Sequence, residues 1–283
     1  MPASPNESKS EFWIDGDHEE LFARNGIAGV DDLFAVAGTK LHKATLPKWR
    51  ERVAVEFSDD DGTSRRFYIK RFNRDTPKRL LNSMLGGKGS TSPARIERDW
   101  ISRLREAGIP VPKVAAFAEE SLKTGGSRSA LVLAEVPGES LERWVLSQQG
   151  PASKSLIHTV ADLARSFHWA GFIHRDFYLS HIFLTNDSEN NPALALIDLQ
   201  RVMHKPIRFE RWRNRDLAQL DYSVPDHIAG ARQRVRFLRR YFQVRSLRRS
   251  GHVRTMKAIV RKSAQIAAHD RRRQSRTTKA GAV

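Results

Sequence analysis

His174-Arg175-Asp176-Phe177-Tyr178-Leu179-Ser180-His181-Ile182-Phe183-Leu184 is followed, after a polar gap, by Leu194-Ala195-Leu196-Ile197-Asp198-Leu199. The first segment sets three polar residues between the apolar pair Phe172-Ile173 and the aromatic pair Phe177-Tyr178, so it reads as a loop anchored at both ends. The second is a short apolar run interrupted by one carboxylate, the pattern of a buried strand. A carboxylate is costly to bury unpaired, so Asp198 is expected either to hold a cation or to cap a turn.

Working outward toward the N-terminus, Arg52 to Phe57 alternates apolar and polar residues as a half-buried strand does, and Arg66 to Phe72 repeats the pattern. Asp59-Asp60-Asp61-Gly62 between them is a turn signal, so the pair reads as a hairpin. Leu80 to Ser92 is rich in Gly and Ser and reads as a loop. A helix is expected from Pro93 to Ala107, since Pro suits the first turn and Gly108 the exit. Val111–Phe117 and Ala130–Val136 read as strands, and Leu141–Ser147 and Leu156–Ala170 as helices. Helices dominate again from about Arg215. The order is β-rich, one helix, β-rich, then mainly α.

This order brings four chemical groups into a recognisable sequence. Lys70 lies on the second hairpin strand. Glu97 follows 27 residues later on the first helix, Asp176 in the His174-Arg175-Asp176 loop, whose three residues are the catalytic candidates, and Asp198 another 22 residues on. A Lys on a strand paired with a helix Glu can steady nucleotide phosphates. A loop Asp can orient an acceptor hydroxyl, and an Asp after a buried strand can hold the metal. Each part alone has a plainer reading: Lys70 and Glu97 as surface charges, the tripeptide as a common one. Together and in order they predict an α+β, bilobal protein-kinase-like fold, with a small β-rich N-lobe carrying one helix and a mainly α-helical C-lobe. The expected divisions are an N-terminal extension over 1–30, partly disordered, an N-lobe over 31–136, a C-lobe over 137–250 and a basic tail over 251–283. The expected cofactors are ATP and Mg2+.

Departures from the usual kinase pattern narrow the reading. The residue five after Asp176 is His181 where a second metal-binding Asn is usual; imidazole can ligate a divalent ion, although Mg2+ prefers oxygen, and it can instead hydrogen-bond a phosphate or pack in the loop. Asp198 is followed by Leu199-Gln200 instead of Phe-Gly. There is no glycine-rich phosphate loop, and Gly38 to Pro47, with Lys40 or Lys43, is the segment that takes its place. Together, His174 to Leu184, Ile197-Asp198-Leu199-Gln200-Arg201 and Arg211-Trp212-Arg213-Asn214-Arg215-Asp216-Leu217 closely resemble the bacterial lipopolysaccharide kinases, the family of core heptose and Kdo kinases. The resemblance extends from about Arg52 to Leu238. It implies a kinase-like fold and transfer of the γ-phosphoryl group of ATP to a sugar hydroxyl of the lipopolysaccharide inner core. By carry-over, Lys70 and Glu97 form an ion pair, Asp176 is the catalytic base and Asp198 a metal ligand.

The segment after Asp198 favours a non-peptide acceptor without that resemblance. Only 17 residues separate Asp198 from Asp216, and Leu199 to Arg215 contains six Lys/Arg and no Ser, Thr or Tyr. A peptide platform with a phosphosite does not fit there, whereas a short basic floor suits an anionic carbohydrate. Asp216 is expected to open the next helix and to accept backbone hydrogen bonds from the catalytic loop.

The formal net charge of +17 is concentrated at one end, because Gly230 to Val283 holds 17 Lys/Arg against the single acid Asp270. The preceding body is nearly neutral, so electrostatic arguments about partners concern the tail. Its readings are a solvated basic helix, a surface for an anionic inner-membrane leaflet or glycolipid, and nucleic acid. The last is not expected, since no readout motif accompanies the charge. Phe237, Leu238, Tyr241 and Phe242 are spaced to pack one helix face inward. The chain contains no Cys, which excludes disulfides and Cys-ligated zinc. With no 18-residue apolar run and no signal-like N-terminus, the expected location is cytoplasmic, peripheral on the inner membrane. The competing functions are an atypical protein or small-molecule kinase, and a pseudokinase or nucleic-acid-binding scaffold that works through its tail.

Overall fold

A computed structural model describes residues 10–41, 49–73, 92–122, 126–186, 188 and 191–280. The expected loop from Leu80 falls almost wholly outside them, as does Lys43. The chain divides into two compact units. One runs to Arg105 and includes Pro112–Glu135; the other takes Glu106–Val111 and everything from Val136.

The first unit is built on β1 (Ser10–Ile14), β2 (Thr39–Lys40), β3 (Arg50–Ser58), β4 (Ser64–Phe72), β5 (Val114–Ser121) and β6 (Ser127–Ala134). They form one antiparallel sheet in the order β1-β5-β6-β4-β3-β2. The hairpin exists as read: β3 and β4 pair from Arg50↔Phe72 to Ser58↔Ser64, with Gly62 at φ 81° closing the turn. Its alternation buries Val53, Val55 and Phe57 from one strand and Phe67 and Ile69 from the other.

Residues 10–30, expected to stand apart as an extension, contribute to this core. β1 pairs with β5, and Leu21, Phe22 and Ile27, on and just after α1 (Glu19–Arg24), are buried. Phe22 meets Phe57 and Phe67 edge to face at 5.0 and 5.1 Å, a geometry worth about 0.5–1.5 kcal/mol per pair beyond burial. α2 (Val30–Ala35) adds Leu33. The carbonyls at its end are held by Arg71 of β4, whose Nε donates to Leu33 O at 2.7 Å and Nη2 to Val36 O at 2.5 Å.

The helix α3 (Pro93–Glu106) buries Ala94, Glu97, Ile101 and Leu104, one stripe at 3.6-residue spacing. Arg95 and Arg98 from its first turns lie over the Phe117 ring of β5 at 5.1 and 4.4 Å. That contact fixes the helix on the sheet and sets which side chain faces β4.

The second unit contains β7 (Glu139–Ser140), α4 (Leu141–Ser147), α5 (Lys154–Trp169), β8 (Phe172–Ile173), β9 (Ile182–Asn186), β10 (Ala193–Leu196), β11 (Met203–His204), α6 (Phe209–Ser223), α7 (Ala231–Tyr241) and α8 (Val253–Ala280). Two small antiparallel sheets, β10-β9-β7 and β11-β8, frame the loops that carry the candidate chemistry. Pro137-Gly138 leads into β7 with Gly138 at φ +86°, where a Cβ would stand 1.9 Å from Leu184 O, so only glycine fits.

α4 and α5 are capped by Ser140 and Ser153, whose side chains accept from the amides of Arg143 and Leu156. The tail is helical: α8 packs along α6, and Tyr222 Oη donates to Asp270, its only acid, at 2.6 Å. Asp216 does not open a helix as expected. α6 begins at Phe209, after Arg208 turns the chain at φ 60°, and Asp216 lies in its interior.

Candidate active site

In the first unit, Lys70 and Glu97 meet directly. Lys70 Nζ donates to Glu97 Oε1 at 2.5 Å, and the two side chains are only 10% and 1% exposed. β4 is shielded on both faces at this end, so Lys70 is buried along with Ile69, Arg71 and Phe72. Desolvating two charges costs more than a surface pair returns, which makes this an expensive arrangement for structure alone. Lys40, considered for a phosphate loop, is exposed on β2 and pairs with Glu51 at 2.9 Å. Gly38 packs against β3, where a Cβ would come within 2.4 Å of Ala54 O. Packing accounts for that glycine.

In the second unit, the backbone of the loop from His174 to Leu179 is held by one stripe of α6. Asp216, Gln219 and Ser223 lie three and four residues apart, hence on one helix face. Asp216 Oδ2 accepts from His174 N–H at 2.7 Å, and its Oδ1 from Arg175 N–H at 2.9 Å. Gln219 Oε1 accepts from Phe177 N–H at 3.1 Å, while its amide donates to Arg175 O at 2.8 Å. Ser223 Oγ accepts from Leu179 N–H at 3.1 Å. These bonds satisfy a loop whose Arg175 sits at φ 73°, a conformation that costs a non-glycine residue energy and persists where surroundings enforce it. Behind the stripe, His168 Nε2 approaches Asp216 Oδ2 at 3.4 Å and its Nδ1 lies 2.8 Å from Tyr241 Oη of α7. Of these supports, the sequence pattern pointed only to Asp216.

The tripeptide divides into different tasks. His174 is fully buried; its Nε2–H donates to Ile197 O at 3.0 Å, and burial pushes its pKa below the usual histidine value. It reaches no solvent, so the expected catalytic part for its side chain is corrected to one of holding the loop against the segment before Asp198. The Arg175 guanidinium lies over the Trp212 ring, 5.6 Å from its centre, and burial, then the charge of Arg201, lowers its pKa. Asp176 alone presents a carboxylate, 23% exposed, and Arg201 Nη1 donates to both its oxygens at 2.8 Å.

His181 links the two acids. Its Nδ1–H donates to Asp176 O at 2.7 Å; the carbonyl can only accept, so in the neutral ring Nε2 carries the lone pair. That Nε2 faces Asp198 Oδ2 at 3.8 Å. A lone pair aimed at a carboxylate suits a bound cation between them. Among the described residues no cluster of three or more His, Cys, Asp or Glu is placed to hold a metal. Asp198 follows the end of β10 in the left-handed region, φ 59° and ψ 59°, which projects its carboxylate from a position that a continuing strand would not offer. The strand read through Leu199 therefore stops at Leu196.

Comparison with known proteins adds three kinds of likeness. Residues 42–241 match the model of the lipopolysaccharide kinase (Kdo/WaaP) family. The chain is 34% identical over 173 residues to the lipopolysaccharide core heptose(I) kinase WaaP of Pseudomonas aeruginosa, covering 58% of this chain and 65% of that protein. It is 30% identical over 137 residues to the 3-deoxy-D-manno-octulosonic acid kinase of Actinobacillus succinogenes, covering 48% of this chain and 55% of that one. The chain thus spans less than two thirds of the length of both relatives. A solved structure of WaaP in complex with acyl carrier protein superposes with a TM-score of 0.67 at 27% identity, covering 90% of this chain and 98% of that one.

Proposed function

Because the chain belongs to the lipopolysaccharide kinase (Kdo/WaaP) family, we propose that it transfers the γ-phosphoryl group of ATP to a heptose or Kdo hydroxyl of the lipopolysaccharide inner core. The acceptor oxygen bonds to the γ-phosphorus as the bond to the β–γ bridging oxygen breaks, ADP leaves, and the hydroxyl proton passes to the Asp176 carboxylate. Asp176 is positioned for this by a backbone held at residues 174, 175 and 177 by Asp216 and Gln219. Lys70, steadied by Glu97, is assigned to the nucleotide phosphates. Asp198 and His181 are assigned to Mg2+, which when bound neutralises charge on the transferring phosphate.

The observation that supports this reading most is the chain of contacts Asp176–His181–Asp198, which spaces a base and a metal ligand through one imidazole. The test is Asp176→Ala and Asp198→Ala, assayed with labelled ATP and lipopolysaccharide from a strain lacking this protein. Both substitutions abolish transfer while circular dichroism stays that of the parent. Near-parental turnover in either, or label entering protein and no glycolipid, overturns the assignment.

A second binding reading rests on a cavity of about 300 Å³ within the second unit, lined by Trp144, Leu156, Leu179, Leu220, Phe237 and Ile259 among others. Its volume and apolar walls are those of a small-molecule pocket. The likeness to WaaP in complex with acyl carrier protein leads us to assign the cavity to an acyl chain presented by such a carrier. The exposed Arg232 and Arg239 of α7, with the half-buried Arg236, suit an acidic carrier surface. The same arginines suit an anionic leaflet, so the proposed location is the cytoplasmic face of the inner membrane. Among the described residues no helix is long and apolar enough to cross a membrane.

A further inference from the structure

Arg201 is the last residue of the short 3-10 turn Leu199–Arg201 that leaves Asp198, and phosphoryl transfer as set out above gives it no task. Its Nη1 donates to both oxygens of Asp176. A guanidinium shared by both oxygens favours the charged carboxylate and so weakens it as a proton acceptor, which makes Asp176 a better base when Arg201 turns away. The pair is easily exchanged: the Arg201 side chain is 49% exposed, and exposed pairs are weakly held. A guanidinium binds carboxylate and phosphate oxygens with the same fork geometry, so a second anion can take Arg201 from Asp176 at little cost. The surroundings attract such an anion. Lys205, Arg208, Arg211, Arg213 and Arg215 follow Arg201 in the chain, with Glu210 the one acid among them. The positive field of Arg201 and Arg215 is strong enough at Arg175 to help lower its pKa.

We propose that Arg201 recognises an anionic group, carboxylate or phosphate, on the acceptor sugar, and that moving onto this group releases Asp176 for proton transfer. The inference rests on the reading of Asp176 as the base. It makes Arg201 a specificity-determining residue that couples acceptor charge to catalysis. It also suppresses the wasteful reaction, in which a water oxygen bonds to the γ-phosphorus, the β–γ bridge breaks and the water proton passes to Asp176.

The test uses the full chain and its Arg201→Gln and Arg201→Lys variants, in two assays. The first is ADP release from ATP without glycan. Arg201→Gln raises it about two- to fivefold, the release expected from losing one half-exposed pair. The second is transfer to lipopolysaccharide from a strain lacking this protein, offered untreated, carboxyl-amidated or dephosphorylated with hydrofluoric acid. For the parent, one of the two treatments raises KM about 10- to 100-fold, the loss of one charge-assisted hydrogen bond, and so identifies the anion. Arg201→Gln shows that raised KM on every acceptor, and Arg201→Lys restores part of the affinity. A parent indifferent to both treatments overturns the inference. So does an Arg201→Gln variant whose kcat and ADP release fall together at unchanged KM, the mark of a residue that only positions Asp176. Failure of the underlying reading shows elsewhere, as turnover surviving Asp176→Ala.

Discussion

Replacing Asp216 by Asn tests whether the catalytic loop is held from α6, because the change removes one acceptor and leaves the shape intact. Asp216 is wholly buried, and its two oxygens serve separate donors, His174 N–H at 2.7 Å and Arg175 N–H at 2.9 Å. An Asn offers one oxygen; its NH2 must face the other backbone N–H. The loss is one charge-assisted hydrogen bond, about 1.5–3 kcal/mol, plus a donor left without an acceptor. A neutral amide is cheaper to bury than a carboxylate, which offsets part of this. The net expectation is about 2 kcal/mol for Asn, and about 3–5 kcal/mol for Ala, where both donors are stranded. Two kcal/mol is about a 30-fold rise in the population of the open loop. Native-state amide exchange reads it locally: the His174 and Arg175 amides exchange about 30-fold faster in Asp216→Asn, while amides of β3 and β4 in the other unit are unchanged. On the roles proposed above, transfer falls mainly in kcat, since the displaced group is Asp176. Exchange at His174 and Arg175 within threefold of the parent, with unchanged kcat, would refute the claim that Asp216 holds the loop.

Two further outcomes follow from the second unit. Val260 lines the cavity yet is 55% exposed, so Val260→Glu sets a charge on an apolar wall at little cost in stability; it weakens binding of fatty-acylated carrier protein at least tenfold by calorimetry. Equal binding of acylated and unacylated carrier to the parent counts against the cavity as an acyl site. Burial holds the His174 pKa below its unfolded value of about 6.5, so the unfolded chain binds more protons as pH falls below that value. His174 therefore lowers stability with a slope of up to about 1.4 kcal/mol per pH unit between that value and its folded pKa, with no effect above it. Urea melts across this window check the slope, and His174→Gln flattens it; an unchanged slope in that variant rules His174 out as its source.

The hairpin, α3 and the four-part order Lys70, Glu97, Asp176, Asp198 were legible because each rests on a local pattern. Alternation marks β3 and β4, a 3.6-residue stripe marks α3, and chemistry demands particular residue types at particular elements. The start of α6 was not legible. Phe209 to Arg215 is crowded with arginine and has no apolar stripe to mark a helix, and the chain turns into it through a left-handed Arg208 that no propensity anticipates. Residues 10–27 lie in the stretch 1–30 that reads as an extension, because their apolar clusters are too short to show a period. They fold because β5 supplies a free edge and Phe57 and Phe67 a face for Phe22.

The supports of the site escaped notice for a different reason. Gln219 and Ser223 bind backbone groups of the loop, which every residue possesses, so nothing at positions 177 or 179 announces a partner. His168 and Tyr241 are 73 residues apart and on different helices. Groups that touch nucleotide or acceptor are constrained in identity by what they touch, and so remain visible in one sequence. Groups that hold the loop are constrained only to donate or accept at the right point in space. Arg201 belongs with the first kind by its exposure and with the second by its bond to Asp176. That double position is why the sequence Ile197-Asp198-Leu199-Gln200-Arg201 gives its last residue no evident role. The structure supplies the missing fact, the direction of its guanidinium, which turns onto both oxygens of Asp176.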